Sequence, residues 1–201
     1  MGTSEVNLIV AEQKKLLREK MIKKGQSLSP EYIAASDLAI SQKVLKLPEF
    51  ISARSIFVYV SRGFEPDTSR MIDRALEMGK SVFVPRIISK GIMVASRIFS
   101  VSDLVPGKYG IPAAPDDAPT LPAGSIDLSL IPCVCASSDG FRLGYGGGYY
   151  DRFFAFRNDD SYETDRSSSA RSAFVLCRSE MLVESVPHDK FDVRFDGIIF
   201  D

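Results

Sequence analysis

From Ser138 to Arg152 the chain runs Ser-Asp-Gly-Phe-Arg-Leu-Gly-Tyr-Gly-Gly-Gly-Tyr-Tyr-Asp-Arg, which packs five of its 14 glycines between two arginines, three tyrosines and two aspartates. Gly144, Gly146, Gly147 and Gly148 cost backbone entropy on folding, so such a run belongs where backbone must approach a ligand closely or take up positive φ. Successive unhindered N–H groups can then form an anion-binding nest. Arg142 would neutralise phosphate charge, the tyrosines would pack on ligand rings, and Asp151 offers a hard oxygen to Mg²⁺. An apolar strand-like run, Ile126 to Pro132, precedes the stretch, and a helical pattern from Tyr149 to Phe156 follows it. A strand-to-helix junction of that kind favours phosphate at the helix N-terminus.

Two common phosphate-binding motifs do not fit. A dinucleotide fingerprint needs glycine at position 149, where tyrosine stands. The GKS tripeptide Gly79-Lys80-Ser81 lacks a glycine at position 74, which is Arg74, and follows a helix where a strand is required. Gly79 reads as a helix C-cap instead. A flexible surface loop is the plain alternative for Gly144 to Gly148, but linkers of that kind are rich in serine and poor in interleaved Arg, Tyr and Asp.

The string Arg142-Leu143-Gly144-x-Gly146-x-Gly148-Tyr149-Tyr150-Asp151 resembles the signature of the 5-formyltetrahydrofolate cyclo-ligase family, and the resemblance extends along nearly the whole chain. It implies an ATP- and Mg²⁺-dependent enzyme that closes 5-formyltetrahydrofolate to its 5,10-methenyl form. It further implies that Lys14 and Arg18 bind ATP phosphates together with Arg142, which also acts catalytically, and with Gly144, Gly146, Gly147, Gly148, Tyr149 and Tyr150. Val60, Glu65, Tyr109 and Tyr149 would hold the folate, and Asp192 would join Asp151 at the metal, with Asp189 the less favoured candidate. The chain departs from the family pattern at Ala136-Ser137, where many members have Phe-Asp, and at Gly147, where some have lysine. Those departures motivate an alternative, a non-catalytic nucleotide- or folate-binding regulator on the same fold.

Without the resemblance several of these residues have plainer readings. Lys14 and Arg18 share a helix face at i,i+4 and could be a solvated basic stripe. Glu65 could serve the dipole of the helix that follows it, although a carboxylate is also the natural two-oxygen acceptor for the N–H donors of a pterin. Tyr109, in Lys108-Tyr109-Gly110-Ile111-Pro112, could lie on an ordinary surface loop. His188, the single histidine, has no partner motif and reads as a satisfied loop residue.

The elements that would position these groups follow in order. A helix is expected over 7–24 and ended by Gly25, its apolar side carried by Leu8, Ala11, Leu17 and Met21. Ser29 caps a second helix with Pro30 in its first turn, running to about Leu47. Strands are expected at Arg54 to Val60, Ser81 to Pro85, Ile92 to Ile98, Ile126 to Pro132 and Ala173 to Cys177, with a helix capped by Asp67 or Thr68 between the first two to complete a βαβ unit. Pro106, Pro112, Pro115 and Pro119 make the segment before Thr120 irregular. Arg157 to Arg171 reads as a polar loop. Near the C-terminus a period of two places Asp192, Arg194 and Asp196 opposite Val193 and Phe195. These elements predict one α/β domain over 1–201, a mostly parallel sheet with helices on both faces in a Rossmann-like three-layer arrangement. Ligand should then lie beyond the carboxyl ends of the strands, where the loops at 61–68 and 139–150 could converge.

At 201 residues, 45% hydrophobic and 25% charged, the composition is that of an ordinary globular domain. A net charge of −1 argues against a general nucleic-acid binder, which would show a basic excess. A nucleic-acid-associated module therefore rests only on the Arg and Tyr of the loop. Cys133, Cys135 and Cys177 lie in apolar segments and read as buried thiols, and zinc would want four ligands. No apolar run reaches the ~18 residues of a membrane span, and Val6 stands where a myristoylation signal needs Ser or Thr. A monomer in the cytoplasm is the expectation.

Overall fold

A computed structural model describes residues 3–155 and 171–201. Seven strands form the main sheet in the order β4 (Thr120–Leu121), β3 (Ile92–Ile98), β2 (Ser81–Ser89), β1 (Ser55–Val58), β5 (Leu128–Ile131), β8 (Ser172–Leu176), β9 (Gly197–Ile199). The five from β2 to β9 are parallel, and β3 and β4 extend the β2 edge antiparallel. Strand order reverses at β1, which pairs with β2 on one side and β5 on the other. Ligand crevices form at such a reversal, beyond the carboxyl ends of the two diverging strands.

Side chains alternate across the sheet because successive Cβ atoms of a strand point to opposite faces. Phe57, Phe83 and Val175 join a core with Met21 of α1 (Thr3–Gln26) and with α5 (Tyr149–Phe153). Ile56, Val58, Val82 and Val84 face α2 (Pro30–Lys46), α3 (Pro48–Ser52) and α4 (Ser69–Glu77). The expected three-layer α/β arrangement is therefore present.

Ser29 caps α2 by accepting from the Tyr32 N–H at 3.2 Å, and Gly79 follows α4 at φ +71°. Thr68 occupies the N-cap of α4 without a side-chain cap bond. Its hydroxyl instead donates to Tyr59 O at 2.7 Å, and Asp67 takes the Ser69 N–H at 3.4 Å.

Several expectations need correction. Gly25 does not stop α1. It lies inside the helix, one residue before its end, and is glycine because the Phe64 ring rests against it, where an added Cβ would stand 2.6 Å away. Leu8 is exposed and the buried stripe begins further on, at Leu17 and Met21, with Lys14 and Arg18 on the same side. α3 begins at Pro48 itself, since proline suits a first helical turn as well as it ends the preceding one. A small hairpin, β6 (Cys135–Ala136) and β7 (Arg142–Leu143), intervenes between β5 and the glycine loop. α5 is five residues long, so a helix dipole contributes little at that loop. Val193 and Phe195 are buried between exposed Arg194 and Asp196, as the alternation requires, but a hydrogen-bonded strand begins only at Gly197. The polar loop expected at 157–171 falls almost wholly outside the described residues.

Ser41 of α2 is 3% exposed, and its hydroxyl has no hydrogen-bond partner among the described residues. Removing an unsatisfied buried hydroxyl while gaining helix propensity should stabilise the fold, so Ser41→Ala is expected to raise unfolding free energy by ~1 kcal/mol. Chemical denaturation at constant m-value is the check.

Candidate active site

The loops leaving β1 and β5 converge on one cavity of about 1130 Å³. Every site residue expected from the sequence lines it: Lys14, Arg18, Val60, Glu65, Tyr109, Arg142, Gly144, Gly146, Gly147, Gly148, Tyr149, Tyr150, Asp151 and Asp192. A single drug-sized ligand typically fills ~300–1,000 Å³, so the space suits two substrates together. Arg62, Lys90, Lys108 and Arg152 also contribute to the walls, giving a cationic lining in a chain whose net charge is −1.

The glycine loop is held by guanidinium groups on both flanks. Arg18 Nε donates to Gly144 O at 2.8 Å, which ties the loop to α1, and Arg152 donates to Gly147 O and, at 2.7 Å, to Gly91 O. Gly146 and Gly148 adopt φ of +93° and +62°, values that disfavour any side chain. Gly147 has ordinary φ, but a Cβ there would stand 2.7 Å from the Tyr149 ring. The close approach of Tyr149 is thus the local reason for glycine at 147.

Arg142 is 6% exposed and lies between the Tyr150 and Phe195 rings, each centroid 5.3 Å from its Cζ. Its Nη2 pairs with Asp151 at 3.2 Å, and its Nε is buried without a partner among the described residues. Lys14 Nζ reaches Asp192 at 2.5 Å and Asp189 at 3.1 Å. Burial works against the ammonium, but the hydrogen bonds and charges of Asp192 and Asp189 outweigh it and hold the Lys14 pKa above its ordinary value. Lys14 and Arg18 are therefore pinned to the cavity wall, and the solvated-stripe reading of this helix face does not hold.

Asp151 and Asp192 suit a hard cation by donor type. The Val193 N–H, next to Asp192, lies 3.5 Å from Asp151 Oδ1, so the chain segments carrying both carboxylates abut. Among the described residues no cluster of three or more acidic, His or Cys side chains exists. A metal held there would take its other ligands from phosphate and water, as Mg²⁺ commonly does.

Glu65 faces the cavity and does not cap α4. Its Oε2 accepts from the Arg62 N–H at 2.9 Å, and the Tyr145 hydroxyl of the glycine loop also favours its charged form. Burial raises its pKa to about 7, against the smaller opposing effects of these partners and of the Arg62 charge. Tyr145, expected with the other loop tyrosines to pack on a ligand ring, lies instead 4.7 Å beneath the Arg62 guanidinium. Tyr109 and Tyr149 meet through their hydroxyls at 3.1 Å, with Tyr109 at φ +59° and largely exposed.

The departures at 136 and 137 have structural uses. Ser137 is fully buried, donates to Asp139 at 2.6 Å and accepts from the Val186 N–H at 3.2 Å, while Ala136 is part of β6. Cys133, Cys135 and Cys177 are free and buried, and burial lifts the Cys135 thiol to about 12. A thiol so raised is inert as a nucleophile. His188 stacks on Phe141 at 3.7 Å and does not line the cavity.

Comparisons with known proteins place the chain in a family. A model of the 5-formyltetrahydrofolate cyclo-ligase family matches residues 10–201. A probable 5-formyltetrahydrofolate cyclo-ligase from Caenorhabditis elegans is 30% identical over 200 residues, covering 96% of this chain and 94% of the relative. The 5-formyltetrahydrofolate cyclo-ligase of Escherichia coli K12 is 26% identical over 177 residues, covering 87% and 92%. Among solved structures, 5,10-methenyltetrahydrofolate synthetase from Aquifex aeolicus superposes with a TM-score of 0.77 at 23% identity, covering 93% of this chain and 89% of the other. At that identity the structural likeness speaks for the fold alone.

Proposed function

The chain belongs to the 5-formyltetrahydrofolate cyclo-ligase family, and on that premise we propose that it converts 5-formyltetrahydrofolate and ATP to 5,10-methenyltetrahydrofolate, ADP and phosphate in the cavity between the β1 and β5 loops. The observation that carries this reading is the meeting, in that one cavity, of Glu65 with the arginine-bound glycine loop.

The formyl group of an amide is a poor electrophile and its oxygen a poor leaving group. Transfer of the γ-phosphoryl group to that oxygen, breaking the bond to ADP, makes it a phosphate ester. N10 then attacks the formyl carbon and loses its proton, and the C–O bond breaks with departure of inorganic phosphate. Phosphoryl transfer of this kind asks the protein for positioning and charge neutralisation. Lys14, Arg18 and Arg142 would surround the triphosphate, with the amides of Gly144 to Gly148 beneath it and Tyr149 and Tyr150 packed alongside. Glu65, Val60, Tyr109 and Tyr149 would orient the folate so that its formyl oxygen meets the γ-phosphate in line. Mg²⁺ held by Asp151 and Asp192 would supply charge neutralisation on phosphate oxygens. Lys14 then has a second use in our reading, since it balances Asp192 and Asp189 when no phosphate is present.

Incubating the protein with Mg-ATP and 5-formyltetrahydrofolate should yield methenyl product and ADP in equal amounts. Binding of both ligands without ADP release would instead select the regulator. Asp151→Asn is expected to raise the Mg²⁺ concentration for half-maximal turnover by about tenfold or more. Its melting temperature should stay near that of the parent, because an Asn oxygen still accepts from Arg142 and Val193; a collapsed melting temperature would mark Asp151 as structural.

We also propose a cytoplasmic monomer. Supporting the compartment, the three cysteines are buried free thiols, as a reducing environment keeps them.

A further inference from the structure

Arg178 is the largest fully buried side chain among the described residues, at 1% exposure. It follows β8, far in sequence from the loop it serves. Its Nε donates to Phe64 O at 2.9 Å and its Nη2 to Glu65 O at 3.1 Å. Nη1 donates to Ile33 O of α2 at 3.1 Å, and Nη2 also pairs with Asp37 Oδ1 of the same helix at 2.7 Å. Asp37 Oδ1 in turn accepts the Asp67 N–H at 2.9 Å. Buried Arg178 and half-buried Asp37, the latter on α2, therefore grip the backbone on both sides of Glu65. Pro66 has no N–H to offer, and its carbonyl accepts from Tyr59 Oη at 2.8 Å, so the carbonyls at 64, 65 and 66 are all bonded from inside the protein.

We infer that Arg178, with Asp37, is a positioning residue for folate binding: its planar fork fixes the backbone on which Glu65 is presented to the cavity. The inference rests on the reading of Glu65 as the folate-holding carboxylate. Three features favour this over a purely structural role. The fork spends two of its donors on the carbonyls of Phe64 and Glu65 themselves. The Glu65 carboxylate has to meet ligand from a wall where burial already disfavours its charge, so any loosening of the backbone lets it turn toward water. Finally, a guanidinium presents several donors in fixed directions where an ammonium offers one rotating point charge, so lysine keeps the charge and loses the fork.

The test is Arg178→Lys, assayed in the full-length protein with each substrate varied separately, beside Asp37→Asn and Glu65→Gln. Arg178→Lys is expected to raise KM for 5-formyltetrahydrofolate by about 30-fold, since small misplacements of a binding group carry effects of this order. KM for ATP should stay within about twofold, and kcat at saturating folate should be nearly retained, the pattern of lost uniform binding. Asp37→Asn keeps the guanidinium in place and should raise only the folate KM, by about threefold to tenfold. If Arg178→Lys does not fold, Asp37→Asn decides alone. An unchanged folate KM, or folate and ATP KM values rising in step, overturns the inference. Glu65→Gln separates the premise: if it too leaves the folate KM unchanged, the reading of Glu65 is wrong, whereas a raised value there with normal Arg178→Lys refutes the positioning role only.

Discussion

Replacing Arg142 with alanine should lower kcat by about 10³-fold, the scale on which arginine contacts act in other phosphoryl transfers. The expectation comes from the placement of this side chain. It is buried, held between the Tyr150 and Phe195 rings, and bonded through one nitrogen to Asp151. A guanidinium fixed in this way meets developing charge with little reorganisation, and low surrounding polarity strengthens the interaction. Truncation would also strand the Asp151 carboxylate, which could depress activity by repelling phosphate. The Arg142→Ala/Asp151→Asn double variant separates the two effects. Assayed at Mg²⁺ concentrations that saturate Asp151→Asn, the double variant recovers turnover toward that of Asp151→Asn if the stray carboxylate is responsible; if Arg142 stabilises the transition state, it stays as slow as Arg142→Ala. A raised KM for ATP with unchanged kcat would reduce Arg142 to a ground-state contact.

The second large effect belongs to Glu65. Glutamine at this position puts an NH₂ donor where an acceptor oxygen stood, facing the N–H donors of a pterin. kcat/KM for 5-formyltetrahydrofolate should therefore fall by about 10²-fold, the cost of losing one charge-assisted bonding group. Stability should move the other way, with a definite pH dependence. The carboxyl pKa is raised on folding from 4.5 to about 7. At pH 4 and below it is neutral in both states and costs nothing. Between about 4.5 and 7 the unfolded chain ionises while the folded carboxyl stays protonated, so stability is lost across that window, and once pH has passed 7 the folded state carries the buried charge and the loss is complete. Glu65→Gln removes that loss, so its gain over the parent should be absent near pH 4 and reach about 3 kcal/mol at pH 8. Melting curves of the unliganded protein across this range are the check. Equal stability of the two proteins at pH 8 would mean that Glu65 is ionised there at no cost.

The parts of this site that could be read from the chain share a local origin. The glycine string, the Ser29 cap and the βαβ pattern are set by neighbouring residues, and each appears where expected. Lys14 and Arg18 were ambiguous locally, since an exposed basic stripe and a phosphate-binding face share the same i,i+4 spacing. The distant Asp192, 178 positions away, and Gly144, 126 positions away, take this face out of solvent and into the cavity wall. Arg178 and Asp37 gave no signal at all. A lone arginine after an apolar strand usually points to solvent, and only the folded chain sets it against Glu65, 113 positions earlier. The β6–β7 hairpin was equally silent, because strands of two residues carry no period. α5 stops at Phe153, short of the apolar pattern that suggested a helix to Phe156, so on the proposed reading the glycine loop would hold phosphate through its own amides and the flanking arginines, with little help from a helix dipole.

A crystal structure with a non-hydrolysable ATP analogue, Mg²⁺ and 5-formyltetrahydrofolate tests the central claim most directly. The expected result has the triphosphate against the backbone amides of Gly144 to Gly148 and Arg142, with the formyl oxygen in line with the γ-phosphate and the pterin on Glu65. A triphosphate bound outside this cavity, with those amides facing water, would contradict it.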